Sequence, residues 1–127
     1  MARIVHIALK VEDLEKAARF YETVFGFQRV EEGQVRDHTS RHLSDGTIDL
    51  ALIKYQQQSP EALLSGKGPC IHHFGIEVED LEGMVAYLRS KGVRVSRIEA
   101  RPWEGTRVAR INRASAHGVA IQLIERP

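Results

Sequence analysis

Ile71-His72-His73-Phe74-Gly75-Ile76-Glu77-Val78-Glu79-Asp80-Leu81-Glu82 reads as a short apolar strand that runs into a helix start, with histidine on the strand. The chain has already written this once, at Val5-His6-Ile7-Ala8-Leu9-Lys10-Val11-Glu12-Asp13-Leu14-Glu15. Val-Glu-Asp-Leu-Glu recurs identically at residues 11–15 and 78–82, and His6 and His73 each stand five places before their copy. The repeat predicts two equivalent modules, each carrying a metal-capable side chain at the same place.

Working outward from the first copy, Ile4 to Lys10 alternates as a strand. Val5, Ile7 and Leu9 lie on one face and His6 and Ala8 on the other. Asp13 is a helix N-cap, Leu14, Ala17, Ala18, Tyr21 and Phe25 form an apolar stripe, and Gly26 is a left-handed stop. His6 therefore points away from the helix. Phe27 to Val30 reads as a strand and Glu31-Glu32-Gly33 as a turn. Gln34 to Leu43 reads as extended, and Ser44-Asp45-Gly46 as a hairpin signal. Thr47 to Tyr55 is a strong strand. Asp49 interrupts its apolar run, which is costly unless the carboxylate meets water, a partner or a cation.

Residues 56–69 form a polar linker with Pro60, Gly66, Gly68 and Pro69, in which Glu61-Ala62-Leu63-Leu64 suits one helical turn. The second module repeats the order. A strand over 71–78 is followed by a helix capped by Asp80, with Leu81, Met84, Val85 and Leu88 in its stripe and Lys91-Gly92 at its end. Strands follow over 93–98, 107–112 and 119–125, with a loop at 101–105 and a turn at 115–118. Gln122 takes the place in the last strand that Asp49 takes in module one. His6, Asp49, His73 and Gln122 all fall on the face opposite the helices. Two imidazoles, a carboxylate and an amide oxygen make a mixed N/O donor set for a divalent ion. Tyr21 and Tyr87 read as helix packing and His72 as packing on the helix side. His38, His42 and His117 lie in polar or turn segments.

The chain has 127 residues, 43% hydrophobic and 28% charged, with net charge +1. That suits one domain built from modules 1–55 and 70–127. The near-neutral balance excludes a broad field for nucleic acid or anionic membrane. No stretch approaches membrane-spanning length and no signal peptide is evident. Cys70 is the only cysteine, so no intrachain disulfide forms; a reducing, cytoplasmic setting is expected. Arg101, Arg107, Arg110 and Arg113 decorate the second module. Arg107 and Arg110 are candidates to clamp an anionic substrate. Trp103, in a Pro-Trp-Glu-Gly loop, is a candidate lid or anchor. Open sheet edges predict a homodimer.

Two β-α-β-β-β modules in tandem resemble the vicinal oxygen chelate superfamily, which includes glyoxalase I, methylmalonyl-CoA epimerase, extradiol dioxygenases and bleomycin resistance proteins. The resemblance covers essentially the whole chain. Gly-Pro-Cys-Ile-His-His and Gly-Val-Ala-Ile-Gln-Leu-Ile-Glu look most like the epimerases; Arg-His-Leu-Ser-Asp-Gly-Thr-Ile-Asp-Leu-Ala-Leu looks like glyoxalase-like members. It implies an α+β fold in which the modules form a cupped mixed sheet around one divalent ion (Zn, Ni, Co, Mn, Fe or Mg). Its ligands would be His6, Asp49, His73 and Gln122. It implies a lyase or isomerase acting on a small anionic carbonyl or thioester substrate through a metal-stabilised enolate. The alternative is a metal-free binding protein that sequesters its ligand; a dioxygenase is the less favoured enzyme. Asp49 departs from the usual glutamate or glutamine. The third-strand glutamate base of the epimerases has no counterpart in Thr39-Ser40-Arg41-His42-Leu43, which leaves His42, Asp37 or a hydroxide on the metal as the base.

Overall fold

Asp13 accepts a hydrogen bond from the Lys16 amide at 3.0 Å and so opens the first helix, α1 (Leu14–Phe25). Gly26 closes it at φ 73°, a left-handed position that glycine takes without strain, and its N–H bonds the Glu22 carbonyl at 3.1 Å. The computed structural model describes residues 2–34, 37–56, 59–60, 62, 68–101 and 105–127. Most of the linker's expected helical turn, at Glu61, Leu63 and Leu64, lies outside them.

The remaining elements are β1 (Arg3–Lys10), β2 (Gln28–Gln34), β3 (His38–Ser44), β4 (Asp49–Tyr55), β5 (Cys70–Glu77), α2 (Leu81–Ser90), β6 (Glu99–Arg101), β7 (Thr106–Ile111) and β8 (Ala120–Glu125). The predicted βαβββ order therefore holds twice. The chain packs as two compact units: residues 6–72, and residues 73–127 together with those up to Val5.

In the first unit the strand order is β2-β3-β4-β1, antiparallel except for the parallel β1/β4 pair. α1 buries Leu14 and Ala18 against Leu43 and Leu52, with Leu9, Leu50, Tyr21 and Phe27 around them. Ala8, Ala51 and Ile53 form a separate cluster on the other face, as strand alternation requires. The β3–β4 loop is held by Asp45, whose Oδ1 accepts from the Thr47 and Ile48 amides at 2.8 and 2.9 Å. β2 runs further than expected. Gly33 is a strand residue opposite Ser40, not a turn, and the ladder absorbs an irregularity between Arg29 and Glu31.

In the second unit the order is β5-β8-β7-β6, with β5/β8 parallel and the other pairs antiparallel. Asp80 caps α2 by accepting from the Gly83 amide at 3.0 Å. Leu81 and Val85 bury against Val78, Ala109, Ile111 and Leu123. Residues 93–98, expected as a strand, carry Val93, Val95 and Ile98 onto this core without forming a regular ladder. Where the pair would form, the Ser96 amide donates to the Arg110 carbonyl at 2.8 Å. The Ser96 hydroxyl, rather than its carbonyl, accepts from the Arg110 amide at 2.8 Å. Tyr87, expected to pack, is 58% exposed, with Lys91 Nζ 5.6 Å from its ring centre. No helix among the described residues is long and apolar enough to cross a membrane.

Candidate active site

Parallel pairing sets His6 directly opposite Asp49, and the β3/β4 register sets Ser44 opposite Asp49 and His42 opposite Ala51. Residues 6, 42 and 49 thereby share the face that α1 leaves uncovered. His6 Nδ1 lies 2.6 Å from Asp49 Oδ2. His42 Nδ1 lies 3.0 Å from Oδ1 and 3.1 Å from Oδ2. An ionised carboxylate only accepts hydrogen bonds, so both imidazoles present Nδ1–H to it. Burial pushes the Asp49 carboxyl up, but the bonds from His42 and His6 outweigh it and hold the group well below the usual carboxylate range. The acidic residue that looked out of place in an apolar strand is thus a charge with two partners.

In the second unit His73 stands opposite Ala120, while Gln122 stands opposite Gly75. Gln122 is therefore not the register counterpart of Asp49, because that place belongs to Ala120. Gln122 is two residues further along, on the same face as His73 and diagonal to it. Arg110 lies across from Gln122 on β7 and pairs with Glu99 at 3.2 Å, so this substrate-clamp candidate is on the His73 face. Arg107 is not. Three residues away on a strand means the opposite face, where its guanidinium bonds Glu125 at 2.8 Å and Glu82 at 3.0 Å beside the start of α2. Those ion pairs commit Arg107 to anchoring the helix, so its expected substrate role is corrected. Trp103 lies outside the described residues.

The other histidines divide by setting. His38 Nδ1 is 2.8 Å from Asp37 Oδ1 and its ring centre is 4.9 Å from that of Tyr55. His72 is buried, as a packing residue should be, and has Tyr55 as a ring neighbour at 5.2 Å. His117 sits in a turn at φ 58° before Gly118 at φ 100°. Ser40 was missed by sequence reasoning. Its Oγ lies 3.3 Å from His42 Nε2, and strand alternation alone, applied to residues 38, 40 and 42, would have put it on the same face.

A neutral imidazole beside an ionised carboxylate is a fitting donor pair for a divalent ion of the zinc, nickel or cobalt kind. Within the first unit the fitting donors are His6 and Asp49. Although His42 joins them, no set of three or more His, Cys, Asp or Glu among the described residues is arranged to hold an ion. With His6 Nδ1 turned to Asp49, the lone pair that His6 would offer an ion is on Nε2.

Residues 3–123 match the Glyoxalase/Bleomycin resistance protein/Dioxygenase superfamily. The chain belongs to this superfamily. Human mitochondrial methylmalonyl-CoA epimerase is 32% identical over 99 residues, which cover 74% of this chain and 56% of the epimerase. A probable lactoylglutathione lyase of Vibrio parahaemolyticus is 30% identical over 137 residues, covering 97% of this chain and 90% of that protein. The solved structure of Streptomyces coelicolor methylmalonyl-CoA epimerase in complex with 2-nitronate-propionyl-CoA superposes with a TM-score of 0.79 at 26% identity. That superposition covers 98% of this chain and 96% of that one. The chain spans little more than half the length of the human epimerase. These likenesses establish the glyoxalase-like α+β fold.

Proposed function

We propose that this glyoxalase-superfamily chain is a metal-dependent isomerase or lyase acting on a small anionic carbonyl or thioester substrate by proton abstraction to an enolate. The observation that carries the reading is Asp49, kept ionised on an otherwise apolar strand face with His6 at 2.6 Å. Two imidazoles keep this carboxylate a fixed negative charge on the uncovered sheet face, and a cation would match that charge. The names of its relatives point to a CoA thioester and a glutathione adduct as the substrate types to try first. His6 and Asp49 from the first unit, and His73 and Gln122 from the second, are the proposed ligands. A divalent ion bound by such donors supplies Lewis acidity to a substrate carbonyl oxygen. Arg110, half exposed on the His73 face, is the proposed contact for substrate negative charge.

Metal analysis and a deuterium-exchange panel test this together. The purified protein is expected to hold about one divalent ion per chain, lost on His6→Ala or His73→Ala. Loaded protein in D₂O is expected to exchange the α-hydrogen of at least one thioester, hemithioacetal or 2-keto acid. If no divalent ion binds by calorimetry, the metal reading fails and a ligand-sequestering protein takes its place. If metal binds but none of the panel exchanges, enolate chemistry on these substrates is wrong.

A further inference from the structure

The Asp49 carboxylate lies on the sheet face that α1 leaves uncovered, where it accepts from two imidazoles. The structure contains a chain of contacts that holds it. His42 Nδ1 bonds both carboxylate oxygens, at 3.0 and 3.1 Å. The same ring's Nε2 lies 3.3 Å from Ser40 Oγ, on a residue that is buried. Across the β2/β3 ladder from Ser40 stands Gly33, and a Cβ built there would come 2.6 Å from Ser40 Oγ. Gly33 thus leaves the room that Ser40 needs, Ser40 faces His42, and His42 faces Asp49.

The hydrogen-bond chemistry fixes the direction of this chain. Asp49 only accepts, so His42 carries its proton on Nδ1; a neutral ring then has a lone pair on Nε2, and the Ser40 hydroxyl donates to it. Both ring nitrogens are committed inside the protein. A general base needs a lone pair within reach of substrate. We infer that His42 is a positioning residue that orients Asp49, with Ser40 and Gly33 fixing its ring, and is not the proton acceptor of the reaction. Its purpose rests on the proposed metal site, because carboxylate ligands depend on such outer hydrogen bonds for orientation; the arrangement of the rings does not.

The order Ser40 Oγ, His42 Nε2, His42 Nδ1, Asp49 is also that of acyl-transfer triads. A nucleophilic role is disfavoured by the strand itself. β3 is paired on both sides, with β2 and β4, so its amides around Ser40 serve the ladders instead of lining an oxyanion hole.

The test uses metal-free protein labelled with ¹⁵N-histidine at about pH 8, above the ordinary imidazole range of ~6.5. Two-bond ¹H–¹⁵N spectra are expected to show His42 as the Nδ1–H tautomer in wild type and in Ser40→Ala, and as a mixture in Asp49→Ala. Zinc affinity, from competition with a chelator, is expected to fall about 10- to 100-fold in His42→Ala. His42→Asn should recover most of that loss, since its amide nitrogen is as many bonds from Cα as Nδ1. An Nε2–H tautomer in wild type overturns the inference. So does zinc affinity in both His42 variants within about twofold of wild type, or covalent labelling of Ser40 by a fluorophosphonate. Wild-type protein that binds no zinc, nickel, cobalt or manganese removes the metal reading instead, and the tautomer spectrum still decides the placement of His42.

Discussion

Replacing Asp49 with asparagine tests the centre of the site with almost no change of shape. The wild-type carboxylate accepts from His6 at 2.6 Å and from His42 at 3.0 Å. Asparagine offers one carbonyl oxygen and one NH₂, so one imidazole keeps an acceptor while the other faces a donor and has to turn or change tautomer. A charge-assisted bond lost this way costs ~1.5–3 kcal/mol when buried. Asp49 is 33% exposed in its side chain, and removing the charge also relieves its burial penalty. The expected net loss is therefore about 1 kcal/mol. Urea unfolding at about pH 8 with a chelator present isolates this from ion binding. In a His42→Ala background the single carbonyl can serve His6 alone, so Asp49→Asn should then cost clearly less, with a coupling of ~0.5–1.5 kcal/mol. Equal costs in the two backgrounds would refute the shared-acceptor argument. Acid adds a second arm. A carboxyl held below its ordinary 3.8 contributes stability above that pH, and the contribution drains away as pH falls toward its lower folded value. The asparagine variant should lack that part of the acid limb.

Leu52→Ala, at a fully buried position under α1, should cost ~2–5 kcal/mol in urea unfolding without changing the strand register. Glu125→Gln keeps an acceptor for the Leu81 amide but loses the charge facing Arg107. It should cost ~0.5–1 kcal/mol near neutral pH and flatten the loss of stability below pH about 4.5, because the Leu81 amide and Arg107 hold the wild-type carboxyl below that value. Light scattering at micromolar concentration should give the mass of a homodimer, since β2 and β6 end their strand orders; a monomer mass would remove that expectation.

The helix starts were legible because each is written locally, Asp13 and Asp80 being caps inside an identical five-residue repeat. The faces of β1 and β4 were legible for a similar reason: alternation needs no knowledge of the partner strand. What failed needed the partner. The register of β8 against β5 is set by the whole crossover, so Gln122 landed opposite Gly75 rather than His73. Gly33 reads as a turn from its local sequence, whereas in the sheet it stands opposite Ser40, whose hydroxyl a Cβ at residue 33 would press upon. Arg107 looked like an anion clamp because its acidic partners, Glu82 and Glu125, are distant in sequence. Asp49 stands out in its apolar strand, but its bond to His42 depends on the β3–β4 register that Asp45 helps to hold.

Glu77 receives Arg3 at 3.4 Å on one oxygen and Arg126 at 2.7 Å on the other, and the amide of Leu81 waits for Glu125. During synthesis these partners leave the ribosome at very different times. Residues 6–72 can settle as soon as they emerge, but residues 2–5 belong to the unit completed by β8. Until the ribosome has made β8, residues 2–5 have no completed unit to join, and the Leu81 amide at the start of α2 lacks its Glu125 partner. Such an intermediate exposes strand edges that aggregate in a crowded cell. Slowing elongation before residue 120 should therefore reduce soluble yield more than slowing it before residue 56.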